Sequence, residues 1–157
     1  GLYHERQRGR LCGLHCVNNL LQRSAYRAKD FDRLERQLGR QQASLQSPSA
    51  PSRLRRVCSA LSGRADFHVQ ALELALHQEG FDLQWFDRRR SVEELRLSDP
   101  DLLGVIVNLR EMRRSCCSRW EERHWLGIRK VDKEFLNLDS LLSQPVSLGD
   151  ALATSQW

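Results

Sequence analysis

The sequence predicts a single α+β domain in which helices come first and an antiparallel sheet follows. Three observations predict it. Apolar residues recur at helical spacing through the first half of the chain, short β-prone runs fill the second half, and the two patterns do not alternate as βαβ units require. With 157 residues, 40% of them hydrophobic, the chain can bury one core without metal or disulfide staples.

Residues 12–22 place Leu14, Val17 and Leu21 on one stripe, widened by Cys16 and Leu20, and predict a largely buried first helix. Phe31, Leu34 and Leu38 repeat that spacing in a second helix, with Asp30 expected as its N-cap and Gly39 as its stop. The Ser- and Pro-rich stretch 43–53 has no sustained period and reads as an exposed loop, after which Arg53 to Leu61 adds a short helix. Val69, Leu72 and Leu76 then mark a helix from Phe67 to Gln78, with Gly80 as its C-terminal cap. Beyond Gly80 the pattern changes. Residues 81–87, 102–109, 124–130 and 134–138 are predicted strands.

Charged residues make up 29% of the chain and the net charge is +5. No apolar run is long enough to span a bilayer, so an integral membrane protein is not expected. The first ten residues lack the apolar stretch of a secretory signal, and five cysteines at irregular spacings do not suggest a disulfide framework. Both features favour a reducing compartment, cytoplasmic or nuclear. Basic runs at Arg53–Arg56, Arg88–Arg90 and Arg110–Arg114 lack any accompanying nucleic-acid motif and read as solvated faces. They allow at most a mild, salt-dependent affinity for acidic partners or anionic lipid surfaces. Cys12, His15 and Cys16, or Cys116, Cys117 and His124, do not form the paired ligand sets of a structural zinc site.

Cys12 falls at the start of the first helix, where the helix dipole and free N–H groups favour a thiolate. By itself that signal is weak, because a cysteine in an apolar helix is more often a small core residue. A thiolate nucleophile needs a proton carrier, and among the five histidines only His124 opens a predicted strand, beside Trp125. A two-residue turn at Asp132-Lys133 would place Leu126 opposite Asp139 and His124 opposite Leu141. His124 and Asp139 would then be diagonal neighbours on one face, about 7–8 Å apart at the backbone. Gln7, five residues before Cys12, could aim its amide at the reacting centre and share an oxyanion hole with the Cys12 N–H, or be one more polar residue of a surface arm.

The residues also resemble a known family. The segment Tyr3-His4-Glu5-Arg6-Gln7, then Leu11-Cys12, His15 and Asn18-Asn19-Leu20-Leu21-Gln22, resembles the opening of the Josephin-type cysteine deubiquitinases. A second match joins His124-Trp125 to Asn137-Leu138-Asp139-Ser140 at the family's separation. The resemblance implies Cys12 as nucleophile, His124 as base and acid, Asp139 as third member and Gln7 as oxyanion donor. It implies a papain-like architecture, with the cysteine helix packed on an antiparallel sheet, in one domain over residues 1–157. It implies hydrolysis of the isopeptide bond after the C-terminal glycine of ubiquitin, acting on ubiquitinated proteins and needing no metal or organic cofactor. The alternative is a ubiquitin-binding module with weak or no catalysis. Two departures are expected: the family's domain usually continues with another helix and a closing strand, and residues 43–53 stand where relatives carry part of a helical arm.

Overall fold

The computed structural model describes residues 1–45, 69–87, 89–114, 116–117 and 119–150. Its elements run α1 (Cys12–Leu21), α2 (Ala28–Leu45), α3 (Val69–Gln78), a 3₁₀ turn (Val92–Glu94), β1 (Gly104–Arg114), β2 (Arg119–Val131), β3 (Glu134–Asn137) and β4 (Val146–Gly149). The strands form one antiparallel sheet in the order β1-β2-β3-β4. This is the expected α+β arrangement, helices first.

The three described helices meet around a core of Leu14, Val17, Tyr26, Phe31, Leu34, Ala71, Leu72, Ala75 and Leu76. Burying these side chains contributes roughly 1.5–3 kcal/mol for each large one. The Tyr26 ring meets Phe31 edge to face at 5.7 Å, and its hydroxyl donates to the Ala75 carbonyl at 2.8 Å, tying the loop after α1 to α3. A second core on the sheet holds Leu97, Leu126, Ile128 and Phe135.

Helix α1 packs on β2 because two glycines make room. A Cβ on Gly127 would lie 2.9 Å from Leu20 Cγ, and one on Gly104 would collide with the Ile128 carbonyl oxygen. The Arg129 guanidinium donates to the Leu20 carbonyl near the negative end of the α1 dipole.

Several local expectations are corrected. Asp30 is not the N-cap of α2 but lies inside its first turn, where its carboxylate accepts the Arg27 N–H at 2.9 Å. Gly39 does not stop that helix, which continues through Leu45 and so takes in residues 43–45 of the expected loop. The remainder of that loop, the helix from Arg53 to Leu61 and residues 67–68 lie outside the described residues. Residues 81–87 join no ladder: Leu83 packs against the helical core, whereas Trp85 is 68% exposed and Phe81 also faces solvent. Alternating apolar residues make a strand only when a neighbouring strand takes their backbone groups. Strands β1 and β2 run further than expected because the largely charged residues from Arg110 to Arg114 keep pairing with Arg119 to Arg123. Gly80 does cap α3, at φ 84, with Phe81 N–H bonded to the Leu76 carbonyl and Gly80 N–H to the His77 carbonyl.

Candidate active site

Cys12 is the first residue of α1, preceded by Leu11, whose side chain offers no cap. The free N–H groups of this helix start therefore surround a buried cysteine rather than a capping oxygen. His124 lies in β2 and is likewise buried. Its Nε2–H donates to Asp139 Oδ1 at 2.7 Å, and the Cys12 side chain lies near enough to the ring to help raise its pKa. With Nε2 engaged by the carboxylate, Nδ1 is the nitrogen left for sulfur.

The β2–β3 hairpin makes this meeting possible. Asp132 adopts φ 53 in the turn, and Val131 pairs with Glu134 and Ile128 with Asn137, the register that a two-residue turn dictates. Leu138 extends that register by one bond, its N–H reaching the Gly127 carbonyl at 2.8 Å. The ladder ends there, so the expected Leu126–Asp139 and His124–Leu141 pairs do not form. Asp139 instead heads a turn in which its N–H donates to Asn137 Oδ1, and its own Oδ1 accepts the Leu141 N–H, both at 2.9 Å. The carboxylate is thereby aimed at the imidazole by local backbone rather than by sheet pairing.

The electrostatics follow from these contacts. The Asp139 hydrogen bond, then the Cys12 side chain, raise the His124 pKa from 6.5 to about 9 against the opposing effect of burial. Burial also pushes the Asp139 carboxyl up, but hydrogen bonds from His124 and the Leu141 N–H outweigh it and hold the group below its ordinary value. At neutral pH the ring is therefore a cation between a carboxylate and a thiol. Such a set can stabilise a thiolate, deliver a proton to a leaving amine and take one from water. Cys16, one turn along α1, is the opposite case: burial and the nearby Cys12 raise its pKa far above the ordinary thiol value, so it stays a neutral core residue.

The arm ahead of Cys12 is bound to α1 by polar side chains. Asn19 accepts the Glu5 N–H at 2.7 Å and donates to the carbonyls of Glu5 and Leu138 at 3.2 and 3.0 Å. Asn18 and His15 both donate to Glu5 Oε1, and His15 Nε2 accepts the Arg8 N–H at 3.2 Å, which makes His15 a structural residue. Gln22 exchanges hydrogen bonds with the Tyr3 backbone. Asparagine weakens a helix interior, yet here a pair of them joins the helix, the arm and the end of β3. His4 Nε2 reaches the Asp139 carbonyl at 3.1 Å.

Gln7 is carried at the end of this arm. Its N–H donates to the Ser140 carbonyl at 2.8 Å, and its Oε1 accepts the Ser140 hydroxyl at 3.2 Å. The amide nitrogen donates to the Gly9 carbonyl at 2.7 Å. The structure thus brings Cys12, His124 and Asp139 together and puts Gln7 beside the Asp139-Ser140 turn. Sequence reasoning missed the supporting roles of His4, Glu5, Asn18, Asn19 and Ser140. The signal was present in their clustering around Cys12 and Asp139, but each contact is set by the fold.

A family model described as Josephin matches residues 7–155. The chain belongs to the Josephin family. It is 33% identical over 159 residues to Josephin-2 of Homo sapiens, an alignment covering 95% of this chain and 73% of that protein. Against the Josephin-like protein of Drosophila melanogaster the identity is 32%, covering 95% and 63%. Against ataxin-3 of Homo sapiens it is 28%, covering 95% and 39%. The papain-like α+β architecture of this Josephin domain is the one anticipated, with the N-terminal helix against the antiparallel sheet. Among the described residues no helix is long and apolar enough to cross a membrane.

Proposed function

We propose that this Josephin domain is a cysteine-type deubiquitinase that cleaves the isopeptide bond after the C-terminal glycine of ubiquitin. The observation that carries the reading is the 2.7 Å bond from His124 Nε2 to Asp139 Oδ1, on a ring whose pKa the nearby Cys12 side chain also raises. In the proposed reaction the Cys12 thiolate attacks the glycine carbonyl carbon and the carbonyl oxygen takes the electron pair. As the tetrahedral species collapses, the C–N bond breaks and His124 protonates the departing lysine amine. Water, deprotonated by His124, then attacks the thioester and Cys12 leaves as thiolate. Gln7 and the Cys12 N–H would stabilise the oxyanion. Ubiquitinated proteins are the substrates, in a reducing cytoplasmic or nuclear compartment.

One observation favours the second reading, a ubiquitin-binding module with weak or no catalysis. The Gln7 amide nitrogen donates to Gly9 rather than standing free, so it must exchange that partner to serve an oxyanion. Steady-state cleavage of a fluorogenic ubiquitin C-terminal amide, with binding of unmodified ubiquitin measured in parallel, separates the two. Turnover that disappears in Cys12→Ser while binding persists supports the hydrolase. Binding with no turnover in the unaltered chain supports the module.

A further inference from the structure

The connection between β1 and β2 carries a feature that the proposed hydrolase does not use. Cys116 and Cys117 are both exposed free thiols, and their sulfurs lie 3.3 Å apart. In an extended strand neighbouring side chains point to opposite faces, so adjacent cysteines converge only where the chain turns, as it does here. On either side Arg114 and Arg119 are directly opposed across the ladder, both exposed. Like charges so placed repel each other, and together they put a positive field at the hairpin end. The pair is remote from the candidate active site, since about 17 Å of strand separates Arg119 from His124 at the usual rise per residue.

The geometry points to a redox modification site: Cys116 and Cys117 close to an intrachain disulfide by exchange with an anionic low-molecular-weight disulfide of the glutathione class. One cysteine loses its proton to solvent, and its thiolate attacks a sulfur of the incoming disulfide, expelling one small thiolate and leaving a mixed disulfide. The neighbouring cysteine, deprotonated in turn, attacks the protein-side sulfur and expels the second small thiolate. One protein S–S bond forms, one small-molecule S–S bond breaks, and both electrons end on the two released thiols. Because the second sulfur is already in contact with the first, ring closure is intramolecular and needs no large movement of the chain. The opposed arginines attract the carboxylates of the incoming reagent.

The test uses the full chain, reduced and desalted, treated with glutathione disulfide and, separately, with the cationic disulfide cystamine, and read by peptide mass mapping over time. The expected product is a peptide spanning both cysteines that has lost two hydrogens and regains them with dithiothreitol. Cys116→Ser should instead trap a stable mixed disulfide on Cys117. Glutathione disulfide should react about ten-fold faster than cystamine at low ionic strength, an advantage that shrinks as salt is added. A persistent glutathione adduct on either cysteine of the unaltered chain, or two thiols that survive the reagent, would overturn the disulfide. Equal rates for the two reagents, or a faster cystamine reaction, would overturn the anionic specificity.

Discussion

His124 Nε2 donates to Asp139 Oδ1 at 2.7 Å although the two residues stand 15 positions apart and share no ladder pair. The hairpin register delivers the chain to Leu138, and the turn headed by Asp139 does the rest. The carboxylate acts on the ring in two ways, through orientation and through charge, and these have different experimental signatures.

The His124 pKa is raised to about 9, so the imidazolium, and the stability drawn from its pairing with Asp139, is complete below the ordinary value of 6.5 and lost as pH rises through about 9. The rate profile should therefore show an alkaline limb near pH 9. Asp139→Asn keeps an acceptor for the ring but removes the charge, so it should retain much of the activity near neutrality and move that limb to lower pH. Asp139→Ala, with no acceptor, should lose considerably more activity. Profiles of kcat/KM on a fluorogenic ubiquitin substrate check the ordering, and an unmoved limb in Asp139→Asn would contradict it.

Gln7→Ala should lower kcat by about 10²–10³-fold while leaving ubiquitin affinity intact, as expected for loss of an oxyanion donor. Its hydrogen bond to Gly9 in the free protein must then be exchanged on substrate binding. A loss confined to KM would remove Gln7 from transition-state stabilisation.

Asn19 is fully buried and bonds the Glu5 backbone and the Leu138 carbonyl. Asn19→Ala leaves the half-buried Glu5 N–H and these carbonyls without that partner, and should cost about 1–3 kcal/mol by urea unfolding. Activity should fall as well, because the arm carrying Gln7 and the turn carrying Asp139 lose their common anchor.

Two glycines should respond in opposite directions. Gly39 lies exposed within α2 and an added Cβ meets nothing within 4 Å, so Gly39→Ala should stabilise the protein by about 0.5–1 kcal/mol. Gly104→Ala drives a methyl into the Ile128 carbonyl and should destabilise by about 1–3 kcal/mol or more. Thermal unfolding of both variants reads the signs.

Much of this was legible because local rules coincide with the fold. The stripe of Leu14, Val17 and Leu21 marked α1, and the hairpin turn at Asp132-Lys133 set the register toward Asp139. Residues 81–87 carry a strand pattern without a partner strand among the described residues, which no local pattern reveals. The short strand Val146–Gly149 was missed because its pairing across a bulge with β3 comes from tertiary context. Gly39 misled because the helix tolerates an exposed glycine when the turns before it are anchored by Phe31, Leu34 and Leu38. The arm's clamp, built from Glu5, His15, Asn18 and Asn19, was visible as residues but not as contacts, since hydrogen-bond partners far apart in sequence are chosen by the fold.

Whether Cys12 is the nucleophile of a ubiquitin hydrolase is decided by reacting the chain with ubiquitin bearing a C-terminal electrophile and mapping the adduct by mass. One ubiquitin per chain should attach, at Cys12, since Cys12 has the imidazolium of His124 beside it whereas Cys16 is buried and neutral. Attachment at Cys16, Cys116 or Cys117, or no attachment to a folded protein that still binds ubiquitin, would contradict it.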